Sequence, residues 1–274
     1  VLDSKYFGLP QQRRRLYVVS GGSDLFPENI LFDQFPSKLI EYDSDNLCFQ
    51  KNKNKIEIFR NYTDCLYSAY GTKWNGNAAA YNGSLFVSQN NRLRRLTPLE
   101  CERLMGFPDN YTDHIDAKPT NRFQALGNSW AVPVIRWIGK RLVSELNNPH
   151  GSNLADPETL KSAINGMDSD SHFYEIPVKH DANQRNLFTT NLLNGSVIPE
   201  LPSLGNMLDI IDTDAHERFY ISPVGCMGIL RRAKERSINI NKSLQNTLIE
   251  VSGNMTDAEI EKRSRVQSRG RYSS

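Results

Sequence analysis

Three consecutive arginines precede an apolar run near the beginning of the chain, in the segment PQQRRRLYV (10–18). In a strand, Arg13 and Arg15 point to one face and Arg14 to the other, because side chains alternate. A guanidinium is always charged and presents a planar fork of donors, which suits it to stabilising an anion. A solvated rim before a strand has the same composition, so this cluster alone leaves both interpretations open.

A second group of candidate residues lies in QALGNSWAVPV (124–134), where Gly127, Asn128 and Ser129 precede a predicted helix. Glycine permits close approach of a backbone, and polar residues at a helix start offer atoms to a ligand. These three residues are candidate ligand contacts, although an ordinary turn before a helix has the same composition.

The elements that must position these residues follow from the apolar pattern. Leu16–Ser20, followed by a Gly-Gly turn, predicts a buried strand after the arginines. A helix is predicted with Thr97 as N-cap, Pro98 in its first turn and Gly106 at its end. A second helix is predicted from about residue 132 to 146, because its apolar residues recur on one face.

The middle and the end of the chain give weaker signals. Residues 21–91 contain β-prone pieces at 56–59 and 84–87, which predict a small, loop-rich, mostly β module. Residues 151–215 are polar with little periodicity, which predicts a linker with some local structure.

Two further segments complete the pattern. Residues 219–236 predict a strand or loop that leads into a helix capped by Ser222, with Pro223 in its first turn. The stretch 262–271 has five positive charges and no acid, and it predicts a disordered, solvated tail rather than a specific binding arm.

Taken together and in this order, three elements over about residues 1–146 resemble the cytosine-5 DNA methyltransferase family. A variable segment, which the family uses for target recognition, separates the first element from the second. The matching residues are Phe7, Gly8, Pro10, Gln11, Arg13 and Arg15; then Arg94, Leu96, Thr97, Pro98, Glu100, Arg103, Leu104, Gly106, Phe107 and Pro108; and finally Gly127, Asn128, Ser129, Pro133 and Val134.

This resemblance implies an α/β fold: the C-terminal part of a Rossmann-like methyltransferase domain, a small, mostly β target-recognition lobe and a partly disordered tail. It implies a catalytic-domain strand segment at 1–20, a target-recognition domain at 21–93, a return to the catalytic domain at 94–148 and a partly flexible extension at 149–274. Residues 1–20 and 94–146 are expected to fold against one another, with 21–91 as a separate lobe.

The implied reaction is methyl transfer from S-adenosylmethionine to carbon 5 of a cytosine that is flipped out of double-stranded DNA, as in restriction-modification systems. Arg15 is then the candidate catalytic-pocket cation and Arg13 its support. The implied cofactor contacts are Gly127, Asn128, Ser129 and Trp130. The family often has a small branched residue where this sequence has Trp130, so position 130 departs from the family pattern.

The recognition segment supplies the expected DNA contacts. Its Gly- and Asn-rich stretch 70–84 is either a DNA-contact loop or a plain surface loop, and position in the segment is what favours contact. The expected contacts are Lys73, Trp74, Asn75, Asn77, Asn82 and Arg94. Glu100 and Arg103, three residues apart on a predicted helix, indicate an architectural ion pair rather than a catalytic one.

No cysteine in the sequence matches the family's nucleophile, which directly follows a proline. Cys48, Cys65, Cys101 and Cys226 follow Leu, Asp, Glu and Gly. The Gly-rich cofactor loop and the Glu-Asn-Val element are also absent, so the chain alone is expected to be inactive. The expected partners are DNA and a catalytic half, in the same chain or as a separate subunit. The alternatives are a split-enzyme recognition subunit and a non-catalytic DNA-binding module, and the reading frame upstream of Val1 distinguishes them.

The bulk composition limits the remaining classes. The net charge of +2 does not by itself indicate nucleic acid. The four cysteines form no CxxC pair, so neither zinc nor another metal site is predicted. With no apolar run of about 18 residues and no apolar leader, the sequence predicts a protein with reduced cysteines in the cytoplasm of a bacterial or phage-infected cell and no membrane segment.

Overall fold

A computed structural model of the chain describes residues 1–21, 27–32, 47–73, 79–147, 174–177, 190–193 and 197–253, with residues 25, 40, 42, 256, 258 and 262. The structure is a mixed α/β arrangement, as the sequence predicts. It divides into two compact units: Val1–Glu41 with Trp130–Asn206, and Tyr42–Ser129 with Met207–Ser274. The domain boundaries expected at 20/21, 93/94 and 148/149 stay predictions.

The strands and helices of the described residues are numbered along the chain. The strands are β1 (Leu2–Asp3), β2 (Arg14–Arg15), β3 (Leu47–Lys51), β4 (Asn54–Ile58), β5 (Phe86–Gln89), β6 (Arg92–Arg95), β7 (Tyr174–Pro177) and β8 (Thr190–Leu193). The helices are α1 (Pro27–Leu31), α2 (Tyr70–Lys73), α3 (Ala79–Asn82), α4 (Pro98–Met105), α5 (Pro119–Asn128), α6 (Val132–Asn147), α7 (Met207–Ile210), α8 (Pro223–Glu235) and α9 (Lys242–Ser252).

In the first unit, β1 and β2 form a short antiparallel pair, with Leu2 opposite Arg15 and Asp3 opposite Arg14. The fully buried Asp3 carboxylate accepts hydrogen bonds from the backbone N–H groups of Lys5 (3.1 Å) and Arg13 (2.9 Å). Because one carboxylate binds both ends of this loop, Asp3 fixes how the arginine segment enters β2.

Helix α6 confirms the helix predicted from about residue 132 to 146. It packs on α1, where the Arg141 guanidinium donates to the carbonyls of Asn29 (2.9 Å) and Ile30 (2.8 Å). Among the described residues, this unit has a buried hydrophobic cluster of Leu2, Leu9, Ala131 and Val134. Strands β7 and β8 form a separate antiparallel pair.

The second unit is built around a four-stranded antiparallel sheet in the order β3-β4-β5-β6. The predicted β-prone pieces at 56–59 and 84–87 overlap β4 and β5. The β3–β4 turn has Asn52 and Lys53 at positive φ, and the β5–β6 turn has Asn90 and Asn91 at positive φ. Two successive residues at positive φ match the twist of antiparallel strands, and asparagine tolerates that conformation better than most residues.

Helix α4 has the N-terminal cap that its sequence predicts. The Thr97 hydroxyl accepts from the Glu100 N–H at 3.2 Å, and the Glu100 carboxylate accepts from the Thr97 N–H at 2.7 Å. Gly106 ends the helix in the left-handed conformation, with φ at 78°. The boundaries of α4 are thus set by local chemistry alone.

Residues 207–253 belong to the core of the second unit, which corrects the prediction of a linker as far as residue 215. Met207, Ile210, Ile211 and Phe219 are buried in the same cluster as residues of β4, β5 and α4. A second cluster joins the sheet to α8 and α9, through Phe86 and Leu93 on one side and Ile229 and Leu248 on the other. The predicted Ser222 cap of α8 is confirmed, since its hydroxyl accepts from the Gly225 N–H at 3.2 Å.

The buried strand predicted at 16–20 is wrong. Pairing with β1 ends at Arg15, and the described residues after it have no strand neighbour. Leu16 is 74% exposed and Val18 is 79% exposed. An apolar run becomes a buried strand only where a neighbouring strand and a covering layer exist, and the described part of the first unit provides neither here.

Candidate functional site

The arginine segment has the alternation that its sequence predicts. Arg13 is 3% exposed, Arg14 is exposed and Arg15 is half-buried. Arg14 donates to Asp3 at 3.3 Å from the surface side, and Arg15 donates to the Arg14 carbonyl at 2.7 Å. The inward positions of Arg13 and Arg15 therefore agree with the predicted register of the strand.

Sequence reasoning missed Asp3, the buried residue that orients this segment. Its bond to the Arg13 N–H joins residues ten positions apart, and such a contact has no local sequence signature. The nearest available signal was the short Asp-Ser-Lys stretch, which is typical of an aspartate that caps a turn.

The Gly-Asn-Ser residues lie at the end of one helix rather than at the start of the next, which corrects the predicted cap. Gly127 and Asn128 are the last residues of α5, and Ser129 is its C-cap, with its hydroxyl donating to the Leu126 carbonyl at 3.0 Å. Asn128 is exposed, Ser129 is half-buried and Trp130 is 63% exposed.

Gly127 has a packing reason to be glycine. A Cβ there would lie 2.4 Å from the Ser68 backbone nitrogen and 2.5 Å from the Tyr67 carbonyl carbon. No substitution avoids this clash without moving the backbone at 67–68. The close approach that was predicted for a ligand is thus made by the protein's own chain.

The expected DNA contacts differ in how exposed their side chains are. Lys73 is exposed at the end of α2. Asn82 is half-buried, donates to the Asp64 carboxylate at 2.5 Å and accepts from the Ser84 N–H at 2.9 Å, so its amide has structural partners. Trp74, Asn75 and Asn77 lie outside the described residues.

Arg94 lies in the interior of the second unit, fully buried against Glu100, instead of on a DNA-facing surface. Its two terminal nitrogens donate to the Glu100 carboxylate at 2.7 and 2.8 Å, and its Nε donates to Gln89 at 2.9 Å. A further bond reaches the Asp212 carbonyl at 2.9 Å. With its guanidinium committed in this way, Arg94 is an architectural residue and is removed from the candidate DNA contacts.

The partner predicted for Glu100 is therefore wrong, because Arg103 pairs with Asp109 at 2.5 Å instead. Hydrogen bonds from Arg103 lower the pKa of the Asp109 carboxyl below its usual value. The neighbouring Glu102 is fully buried and pairs with Arg122 of α5 at 2.9 Å. Helical spacing identified α4 as an architectural element, but the true partners of its charges come from other elements.

The four cysteine side chains are free thiols. Cys101 and Cys226 are fully buried, and burial raises the pKa of Cys101 well above its usual value and that of Cys226 to about 12. Burial and the neighbouring Glu57 also raise the pKa of Cys48. These three thiols are poor nucleophiles near neutral pH, because the thiolate is the reactive form.

No group of three or more potential metal-ligating side chains lies together among the residues that the structure describes. None of the described helices combines the length and apolar character that crossing a bilayer requires.

Comparison with known proteins finds a family that part of this arrangement is similar to. Residues 50–144, which contain strands β4 to β6, the capped helix α4 and the Gly127 segment, match the family of C-5 cytosine-specific DNA methylases. Through this segment the chain is similar to the C-5 cytosine-specific DNA methylase family. The resemblance found in the sequence is thereby confirmed.

Individual relatives each match about half of this chain. The Type II methyltransferase M.HhaI of Haemophilus parahaemolyticus is 27% identical over 177 residues, covering 54% of this chain and 53% of that protein. The Type II methyltransferase M.HaeII of Haemophilus aegyptius is 34% identical over 162 residues, covering 54% of this chain and 50% of that protein. The chain thus spans about half the length of these relatives.

A shorter match concerns a protein named for a different base. The DNA N-6-adenine-methyltransferase of Escherichia phage P1 is 38% identical over 79 residues, which cover 18% of this chain and 10% of that protein. No solved structure matches the chain.

Proposed function

We propose that this chain is the target-recognition part of a cytosine-5 DNA methyltransferase and contributes residues to its S-adenosylmethionine site. The family match over residues 50–144 carries this proposal. In the proposed architecture, the four-stranded sheet belongs to a target-recognition lobe, and α6 belongs to the Rossmann-like catalytic domain. The tail predicted at 262–271 lies outside the described residues, apart from Lys262.

The proposed reaction requires a thiolate that this sequence does not contain in the family's Pro-Cys setting. We propose that a second segment, with the nucleophile and the Gly-rich cofactor loop, completes the enzyme, either in one longer chain or as a separate subunit. The chain by itself is then inactive. The buried, high-pKa thiols of Cys101 and Cys226 support this proposal.

The surface of the first unit fits such a partner segment. Among the described residues of this unit, the apolar cluster has four buried members, whereas Leu16, Val18, Val143 and Leu146 are each more than half exposed. In the described part of α6, Val134 and Glu145 are fully buried, whereas the apolar residues Ile135, Trp137, Ile138 and Leu142 are half-buried. We propose that the catalytic half extends β1–β2 into a larger sheet and covers these side chains, because exposed apolar area of this kind is stabilised by burial.

The cofactor assignment rests on residues that stay accessible. Bound S-adenosylmethionine would supply the methyl group. The exposed Asn128 amide is available to hydrogen-bond a polar group of the cofactor, and the exposed Trp130 ring is available to stack on its base. Gly127 acts indirectly in this proposal, since its close packing on Tyr67 and Ser68 holds the end of α5 in place.

The DNA contacts proposed for the recognition lobe lie around residues 70–84. Lys73 is exposed and suited to a phosphate contact. We keep Trp74, Asn75 and Asn77 among the proposed DNA contacts because of their residue types. An asparagine amide, for example, can hydrogen-bond two positions of adenine. Asn82 is proposed to shape this loop through Asp64 and Ser84 rather than to bind a base directly.

Arg15→Ala in the assembled enzyme is expected to lower turnover far more than duplex affinity. Arg15 is half-buried on the inward side of β2, where we propose that it stabilises negative charge on the flipped cytosine; Arg13 supports it from the buried position. Removing one preorganised donor of this kind typically costs on the order of 3 kcal/mol of transition-state stabilisation. Turnover and DNA affinity, measured at one fixed salt concentration, test this expectation.

Arg14→Ala is the matched control, since Arg14 is exposed on the opposite side of the same strand. It is expected to change both quantities little. If Arg15→Ala weakened DNA binding and left turnover intact, Arg15 would be a backbone-phosphate contact and the pocket assignment would be wrong.

A further inference from the structure

A segment of the first unit, far along the chain from the arginines, runs beside the loop that leads to them. This segment, residues 197–206, is called the strap below. The Gly8 N–H donates to the Ser203 carbonyl at 2.9 Å, and the Ser203 N–H donates to the Tyr6 carbonyl at 3.0 Å. These two bonds form a parallel bridge between Ser203 and Phe7. The strap therefore holds the backbone of the loop at its middle.

The strap also holds the beginning of the loop. The Asp3 N–H donates to the Val197 carbonyl at 3.3 Å. The carboxylate of Asp3 accepts from the Arg13 N–H at 2.9 Å, and the Ser4 hydroxyl donates to the Gln11 carbonyl at 2.7 Å. Asp3, Ser4 and Gln11 are all fully buried. Because the strap, Asp3 and Arg13 are joined in series by hydrogen bonds, a shift of the strap is transmitted to the arginine segment.

Gly205 brings the strap into close contact with the loop. A Cβ at this position would lie 2.5 Å from the Gly8 carbonyl oxygen and 2.6 Å from both the nitrogen and the ring carbon Cδ of Pro10. These are backbone and ring atoms, which cannot rotate away as the end of a flexible side chain can. Any side chain at position 205 therefore forces the strap and the loop apart by about 1 Å before ordinary contact distances are restored.

We propose that the strap is a positioning element for the proposed catalytic arginines and that Gly205 sets its distance from their loop. This role rests on the proposed function of Arg13 and Arg15, and it falls on residues outside the family-matched segment 50–144. The strap acts through the loop, since Pro10 lies three residues before Arg13 and β2 follows at once. A preorganised donor stabilises a transition state only when it is held in place, and a misplacement of about 1 Å can lower a rate about 100-fold.

Gly205→Ala, made in the assembled enzyme of this chain and its catalytic half, tests the proposal. Turnover is expected to fall about tenfold or more, whereas the KM for duplex DNA should stay within about twofold. The reason for this split is that Gly205 belongs to the first unit and the proposed DNA-contact stretch 70–84 to the second. Circular dichroism melting verifies that each variant is folded at the assay temperature.

The double variant Gly205→Ala, Arg15→Ala distinguishes positioning from a general loss of structure. If Gly205 acts through Arg15, adding Gly205→Ala to Arg15→Ala should slow the enzyme by only about twofold or less, because the positioned group is already absent. A merely structural role would lower turnover by the same factor in both backgrounds. Equal factors, or normal turnover of Gly205→Ala beside a slow Arg15→Ala, would overturn the strap's role and leave the proposed function in place.

Two variants at Ser203 keep the test decisive if Gly205→Ala does not fold. Ser203→Pro removes the N–H that donates to the Tyr6 carbonyl and keeps the carbonyl that accepts from Gly8. Ser203→Ala keeps both bonds and is the matched control, because the residue is exposed and contacts the loop through its backbone. Turnover of the proline variant should be lower by about threefold or more.

The Ser203 pair and the unmodified enzyme complete the set of outcomes. Equal turnover of the proline and alanine variants would overturn the strap's role alone. If Arg15→Ala kept full turnover, or if the unmodified assembled enzyme formed no 5-methylcytosine, the strap's role and the proposed function would both be overturned.

Discussion

Glu100→Gln is expected to destabilise the second unit by about 3 to 5 kcal/mol, because it leaves the Arg94 guanidinium buried without a counter-charge. Both side chains of this pair are fully buried. The Glu100 carboxylate also accepts from the Thr97 and Asp212 N–H groups, at 2.7 and 2.9 Å. One substitution therefore weakens the link between β6, the start of α4 and the segment after α7. Urea unfolding followed by circular dichroism measures the loss.

Strand β6 provides a matched control for this prediction. Arg92, two residues from Arg94, forms an equally close two-bond pair with Glu217 at 2.7 and 2.8 Å, but both side chains are more than half exposed. Water screens such a pair, so Glu217→Gln should leave the unfolding midpoint close to that of the unmodified chain. Similar midpoints for the two variants would show that burial of the Arg94–Glu100 pair does not matter for stability.

Ending the chain after Asn206 is expected to abolish cooperative unfolding of the second unit. The truncation removes Met207, Ile210, Ile211 and Phe219 from the first buried cluster and all of α8 and α9 from the second. It also removes the carbonyls of Leu208 and Ile211, to which Lys51 donates at 2.6 and 3.1 Å. Fully burying one large apolar side chain is worth about 1.5 to 3 kcal/mol, so the summed loss exceeds the stability of a typical domain.

Two controls separate this loss from a general effect of shortening. Ending the chain after Gly253 keeps every residue of both described clusters and should preserve the unfolding transition. Within α9, Leu248→Ala should cost about 2 to 5 kcal/mol because Leu248 is fully buried, whereas Ile249, which is 39% exposed, should tolerate alanine far better. If the chain ending at Asn206 retained a normal transition, residues 207–253 would be an accessory and not part of the fold.

The features that sequence alone predicted are those set by neighbours in the chain. The cap and end of α4 depend on Thr97, Pro98, Glu100 and Gly106, all within ten positions. The Ser222 cap of α8 and the alternation of Arg13, Arg14 and Arg15 are equally local. In each case a single residue type has a strong reason to occupy its position, so the structure could be inferred without knowing the rest of the fold.

The features that sequence alone missed depend on partners that belong to other elements. Arg103 lies three positions from Glu100, but the guanidinium that pairs with Glu100 belongs to Arg94 of β6. Gly127 is consistent with a ligand contact, yet the backbone that approaches it belongs to residues 67–68. The apolar run at 16–20 predicts a buried strand, but such a strand forms only where other strands are present to pair with it. Such contacts can be identified only from the tertiary arrangement, because composition and residue spacing do not reveal them.

Residues 207–253 show the same limit on a larger scale. Their polar, irregular start resembles a linker, and the family resemblance is weak there. The four-stranded sheet nevertheless needs a cover for its apolar side chains, and α8 and α9 contribute Ile229 and Leu248 to that second cluster. A segment without a recognisable motif can thus be essential to the fold of the proposed recognition lobe.

The central claim is that this chain supplies target recognition, and not the nucleophile, to a cytosine-5 methyltransferase. The most direct measurement is mass spectrometry of nucleosides from duplex DNA incubated with S-adenosylmethionine and the chain, with and without a polypeptide that carries the Pro-Cys and Gly-rich elements. The account predicts no methylated base with the chain alone and 5-methylcytosine when both are present. Methyl transfer by the chain alone, or N6-methyladenine as the product of the complete mixture, would contradict it.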